Sequence, residues 1–113
     1  MKRYCLTIDL VDDPELIEEY EKHHKEVWPE VEKSFHDSGI LNMEIYRTEN
    51  RLFMILDVGD DFSFDKKEEM DSNNPIVREW EELMWKYQQA LPGSLPSEKW
   101  RLMKKIYSID TSF

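Results

Sequence analysis

One cysteine, Cys5, stands in the whole chain, so no internal disulfide can hold the fold together. With no apolar leader in front of it, that economy of thiols suits a reducing cytoplasm. Basic residues are also in deficit: 15 Lys and Arg against 25 Asp and Glu leave a net charge of -10. A nucleic-acid partner needs a basic face to displace counterions, and an anionic membrane surface repels such a chain, so both are excluded as partners. No stretch approaches the roughly 20 apolar residues of a membrane span. Repeats, low-complexity tracts and composition breaks are missing too, so the 113 residues are expected to form a single domain, 1–113, with one core.

What the chain does have is aromatic surface and one unusual helix. Four Trp and five Tyr can fill a core or supply flat apolar walls for a neutral ligand such as a sugar ring. Between Glu18 and Glu30 the 3.6-residue period puts Leu16, Tyr20, His24, Val27, Trp28, Val31 and Phe35 on one stripe, with charged residues largely on the other. Tyr20 and His24 therefore face inward together, one turn apart. A phenol beside an imidazole can exchange protons near neutral pH, although a Tyr and a His on an inward face also serve simply as core residues. Pro29 lacks an amide donor and clashes with the carbonyl of Lys25, which predicts a kink or restart near Trp28 and space beside His24.

In chain order, Tyr4, Leu6, Ile8 and Leu10 alternate as a strand. Asp13 and Pro14 begin a helix predicted to run to about Ser38, stopped by Gly39. Ile40 to Thr48 and Leu52 to Val58 read as an antiparallel hairpin, the second strand apolar on both faces and so interior to the sheet. A weak helix ends near Met70, and a stronger one runs from Pro75 to about Ala90 with Ile76, Trp80, Leu83, Met84 and Tyr87 in helical register. Residues 92–99 read as a loop, and Arg101 to Ile109 as a last strand. Strand, helix, strand, strand, helix, strand is the ferredoxin-like α+β order, a four-stranded antiparallel sheet with helices on one face. The other face carries sets such as Cys5, Tyr46, Phe53, Ile55 and Ile106, too apolar to stay wet, which predicts a homodimer joined through sheet faces or edges.

The string Tyr20-x-x-x-His24-x-x-x-Trp28-Pro29-Glu30, followed by Gly39, Ile45-Tyr46 and Trp80-x-x-x-Met84, resembles the L-rhamnose mutarotase family. The resemblance spans nearly the whole chain, and its specific part is the helix motif. It implies a cofactor-free, cytoplasmic homodimer of the dimeric α+β barrel type that interconverts the α and β anomers of a 6-deoxy-hexose, L-rhamnose first. His24 would be the proton-transfer residue, with Tyr20 beside it. Trp80 would stack on the sugar, and Trp28 would line the pocket. Mutarotation suits these residues, because ring opening requires one proton to leave the anomeric hydroxyl and another to reach the ring oxygen, with no metal. Two positions depart from the rhamnose enzymes: Met43 replaces a tyrosine and Glu81 replaces a second tryptophan, both expected in the binding wall. L-Fucose or another deoxy sugar therefore remains a candidate monosaccharide.

Other readings share this pattern. Small monooxygenases and haem-degrading proteins use the same barrel, and a non-catalytic ligand-binding module would keep the same pocket. A metal site on His23, His24 and His36 is disfavoured by spacing, since adjacent residues diverge by about 100° on a helix. His23 is expected at the stripe's edge, solvated or bonded to a glutamate, and His36 as a cation at a helix C-terminus.

Overall fold

In the computed structural model, which describes residues 1–95 and 98–109, β1 (Lys2–Leu10) lies antiparallel to β3 (Arg51–Val58) at the centre of the sheet. Their register sets Tyr4 opposite Leu56, Leu6 opposite Met54 and Ile8 opposite Leu52, so one face of both strands is apolar. β2 (Ile40–Thr48) pairs with the outer edge of β3, adding Met43 opposite Leu56 and Ile45 opposite Met54 to that face. Thr48 meets Arg51 across a two-residue turn whose first residue, Glu49, takes a left-handed φ of 50°.

Four helices complete the chain: α1 (Pro14–His23), α2 (Pro29–Asp37), α3 (Phe64–Ser72) and α4 (Pro75–Trp85). Tyr20 of α1, Val31 of α2, and Val77, Trp80 and Met84 of α4 bury against Ile8, Leu10 and Leu52. Leu6, Ile40, Met54, Leu56 and Val58 form a second apolar cluster, with Met43 and Phe35 at its margin. The strand order is β2-β3-β1, and the free edge of β1 takes two short strands, β4 (Gln88–Gln89) at Leu10 and Asp9, and β5 (Arg101–Leu102) at Thr7 and Leu6. This is the ferredoxin-like α+β arrangement. Among the described residues, no helix is long and apolar enough to cross a membrane.

The opposite sheet face sets Cys5 against Ile55, and Phe53 against Thr7 and Tyr46. None of Cys5, Phe53 or Ile55 belongs to the clusters under the helices. Two bidentate ion pairs bracket this strip: Arg3 with Asp57, and Arg51 with Asp9, each at 2.7 and 3.2 Å. The Arg3 hydrogen bond holds the Asp57 carboxyl below its ordinary range.

Three expectations are corrected. The long helix from Asp13 to Ser38 is two helices, separated by His24–Trp28. Pro29 explains the restart, since the residue before a proline is driven out of helical conformation, and Trp28 is extended at φ -59°, ψ 134°. The break nevertheless starts four residues earlier, at the last turn of α1. α4 ends at Trp85 instead of Ala90, because the edge of β1 captures the chain: Val11 N–H donates to the Tyr87 carbonyl at 2.8 Å before Gln88 joins the ladder. The last strand is two residues long, extended only by Met103 N–H donating to Cys5 O at 2.7 Å. Residues 103–109 contribute nothing to either apolar cluster, and Ile106 and Ile109 are 91% and 88% exposed. Of the loop read over 92–99, residues 96 and 97 lie outside the described residues.

Candidate active site

Asp13 starts α1 by accepting from the amides of Glu15 and Leu16 at 2.9 and 3.4 Å. The other end of the helix makes the site. There the amides bond three residues back instead of four: His24 to Glu21 at 3.2 Å, Lys25 to Lys22 at 3.1 Å and Glu26 to His23 at 3.3 Å. Because the His24 amide goes to Glu21, the Tyr20 carbonyl loses its usual helical donor, and the His24 ring takes the place, with Nδ1 2.9 Å away. A carbonyl can only accept, so Nδ1 carries the hydrogen. In the neutral ring Nε2 then holds the lone pair, and no described residue hydrogen-bonds it. Burial pushes the His24 pKa below its ordinary value, partly countered by the bond to the Tyr20 carbonyl and reinforced by His23 next door.

Tyr20 is 3% exposed, and burial pushes its pKa up to about 12, with a smaller opposing effect from Gln88. Its phenol is therefore neutral through the physiological range. The Gln88 amide donates to Tyr20 Oη at 3.4 Å, and the hydroxyl's own hydrogen has no acceptor among the described residues. The Tyr20 and His24 rings lie 4.4 Å apart. A poised donor thus sits beside a poised acceptor, the requirement for concerted proton exchange with one small substrate.

Trp80 closes the cluster, its ring 5.7 Å from His24 and 5.2 Å from Trp28, both steeply tilted. Tyr20, His24 and Trp28, which share one stripe by spacing, are therefore brought together with Trp80 of α4. Met43 and Glu81 are not among them. Met43 packs at the margin of the second apolar cluster, and the Glu81 carboxylate sits at the surface, 3.7 Å from Lys99 Nζ. A groove of about 1010 Å³ between α2, α3 and α4, lined by residues such as Glu30, Lys66 and Asn73, includes none of the aromatic cluster. Among the described residues, no three His, Cys, Asp or Glu side chains converge as metal ligands.

Three residues at the site escape sequence reasoning. His23, expected solvated or bonded to a glutamate, meets the Tyr87 hydroxyl, with Nε2 3.2 Å from Oη. Tyr87 shares the Trp80 stripe, which is the one signal that could have found it. Gln88 carries no such signal, since its position depends on α4 ending early.

The family model described as L-rhamnose mutarotase matches residues 3–109. An L-fucose mutarotase of Xanthomonas campestris pv. campestris is 45% identical over 111 residues, covering 96% of this chain and 89% of that protein. An L-rhamnose mutarotase of Phocaeicola vulgatus is 32% identical over 99 residues, covering 85% of this chain and 88% of that protein. Among solved structures, an L-rhamnose mutarotase from Formosa agariphila shares the fold with a TM-score of 0.71 at 21% identity, covering 97% of this chain and all of that one.

Proposed function

The chain belongs to the L-rhamnose mutarotase family, and on that premise we propose that it is a cofactor-free aldose mutarotase for a 6-deoxy-hexose, with L-fucose ahead of L-rhamnose. The enzyme class, a carbohydrate isomerase, comes with the family. The order of sugars reverses the expectation from the motif alone. It is supported by the 45% identity to an L-fucose mutarotase, which covers 96% of this chain.

The observation that carries the mechanism is the His24 ring held by Nδ1 on the Tyr20 carbonyl, with Nε2 left open. In the cyclic sugar, His24 Nε2 takes the proton of the anomeric hydroxyl while Tyr20 Oη gives its proton to the ring oxygen. The bond between C1 and the ring oxygen breaks, and the open aldehyde forms. Rotation about the C1–C2 bond presents the other carbonyl face, and the two transfers run backwards to close the opposite anomer. Burial serves both roles. It keeps His24 neutral, hence basic, and keeps Tyr20 protonated, hence a donor. Trp28, half-buried at the outer side of Trp80, supplies an apolar wall for the sugar's methyl group.

The strip of Cys5, Phe53 and Ile55, half-buried in one copy and outside both apolar clusters, supports a homodimer through the open sheet face. The lone thiol is consistent with a cytoplasmic setting.

Saturation-transfer NMR of the anomeric protons, run on L-fucose, L-rhamnose and D-glucose, tests the assignment. Exchange of a deoxy sugar far above the buffer rate, with D-glucose near it, is the expected outcome. Equal exchange with and without protein, despite measurable sugar binding, would leave a non-catalytic binding module. Tyr20→Phe should lower the rate while leaving the fold intact.

A further inference from the structure

Building on the mutarotase reading, we propose that His23 is a positioning residue for His24: its hydrogen bond to Tyr87, together with that of Gln88 to Tyr20, clamps the end of α1 and keeps the open nitrogen of His24 on aim. The need for a clamp follows from the backbone. Just past α1 the amides of His24, Lys25 and Glu26 reach only three residues back, and the chain then runs without regular structure to Trp28. The bond that orients the His24 ring runs to a carbonyl of α1 itself, so the aim of the ring follows the position of that helix end.

The clamp is anchored elsewhere. Tyr87 is 3% exposed, its amide donates to Met84 O at 2.9 Å, and its carbonyl accepts from Val11 at 2.8 Å, so it is fixed to both α4 and the end of β1. From that post its hydroxyl meets His23 Nε2 at 3.2 Å. The next residue, Gln88, is held in the β4 ladder and reaches Tyr20 Oη at 3.4 Å. Two consecutive residues at the α4–β4 junction thus grip two residues of α1. Trp80 stands within the span, its ring 6.5 Å from His23 and 5.7 Å from His24. Adjacent residues diverge by about 100° on a helix, so fixing His23 on Tyr87 fixes the direction in which His24 leaves the backbone. Either partner can donate in the His23–Tyr87 bond, which means a glutamine at 23 can reproduce it and a phenylalanine cannot.

The test compares kcat and KM for anomer exchange, with the best sugar of the panel, in wild type, Tyr87→Phe, His23→Phe, the double variant and His23→Gln. Misaimed chemistry should lower kcat about tenfold in either Phe variant with KM within about twofold, since small misplacements act on the reacting geometry. The double variant should be no slower than the singles, because both remove one bond. His23→Gln should recover to within about threefold of wild type, as expected when one hydrogen bond is restored. Wild-type kcat in Tyr87→Phe, or a double variant whose loss is the product of the single losses, would overturn the clamp. If wild type exchanges no sugar, the mutarotase reading falls, and the clamp is judged on its own by nitrogen-15 NMR of the His24 ring. Tyr87→Phe should then mix the two ring tautomers, and an unchanged single tautomer would refute it.

Discussion

Replacing His24 by asparagine separates the fold of this site from its chemistry. The asparagine amide nitrogen falls where Nδ1 stands, so the bond to the Tyr20 carbonyl at 2.9 Å can be kept. Nothing replaces Nε2, and the proton acceptor is gone. A positioned general base contributes about 10²–10⁴ in rate, or about 3–5 kcal/mol at 1.36 kcal/mol per decade. The structural loss is smaller. His24 is half-buried, and a shorter side chain gives up part of its contact with the rings of Tyr20 and Trp80, 4.4 and 5.7 Å away. That is worth about 1–2 kcal/mol. Against a stability of about 5–15 kcal/mol the variant stays roughly 99% folded or better. His24→Asn is therefore expected to show a native circular dichroism spectrum and a hundredfold or greater loss of anomer exchange in saturation-transfer NMR. A folded variant exchanging the sugar within about threefold of wild type would refute the role of His24 as base, because no assignment of a base to that ring survives so small a change.

Three further outcomes follow. The His24 pKa is lowered by burial, and the base works when neutral, so activity should hold from above pH 6.5 down into the acid range and fall only below 6.5, through the lowered value; a kcat profile already falling above pH 6.5 would contradict this. Gly39 ends α2 at φ +97°, and an added Cβ meets Phe62 Cβ at an ordinary 3.8 Å, so Gly39→Ala should suffer from backbone strain alone. That strain is about 1–2 kcal/mol, a fall of about 4–8 °C in Tm by calorimetry, with anomer exchange at 25 °C unaffected. In sedimentation at micromolar concentration, wild type should run at twice the 13.7 kDa chain mass and Ile55→Lys at the chain mass itself, whereas a wild-type monomer would end the sheet-face dimer.

The sequence was most legible where local chemistry decides structure. Asp13 accepts from the amides its position predicts, and Gly39 takes the left-handed conformation that a helix stop asks for. The alternation of Leu6, Ile8, Leu52 and Met54 likewise reports a buried face correctly, because pleat period and burial act together there. The (i, i+4) spacing that joins Tyr20 to His24 remains true although His24 is the residue after the helix, since one more turn of helical backbone suffices to stack the rings. What stayed hidden depends on competition between distant segments. α4 has the pattern to continue past Trp85, yet the edge of β1 offers Gln88 a ladder. The pairings of Tyr87 with His23 and of Gln88 with Tyr20 exist only after that competition is decided. Met43 shows the opposite case. Its place in the strand was read correctly, but a family position cannot say that the side chain here turns into the second apolar cluster.

The early end of α1 also bears on how such a chain can diverge. Were the helix to continue one more turn, the His24 amide would reclaim the Tyr20 carbonyl, and the imidazole would be released from the atom that decides which of its nitrogens is protonated. A descendant carrying the same tyrosine and histidine at the same spacing, but with that turn wound as regular α-helix, would keep both side chains without the proton register. In this architecture the tight turn after α1 belongs to the inheritance of the reaction as much as the histidine does.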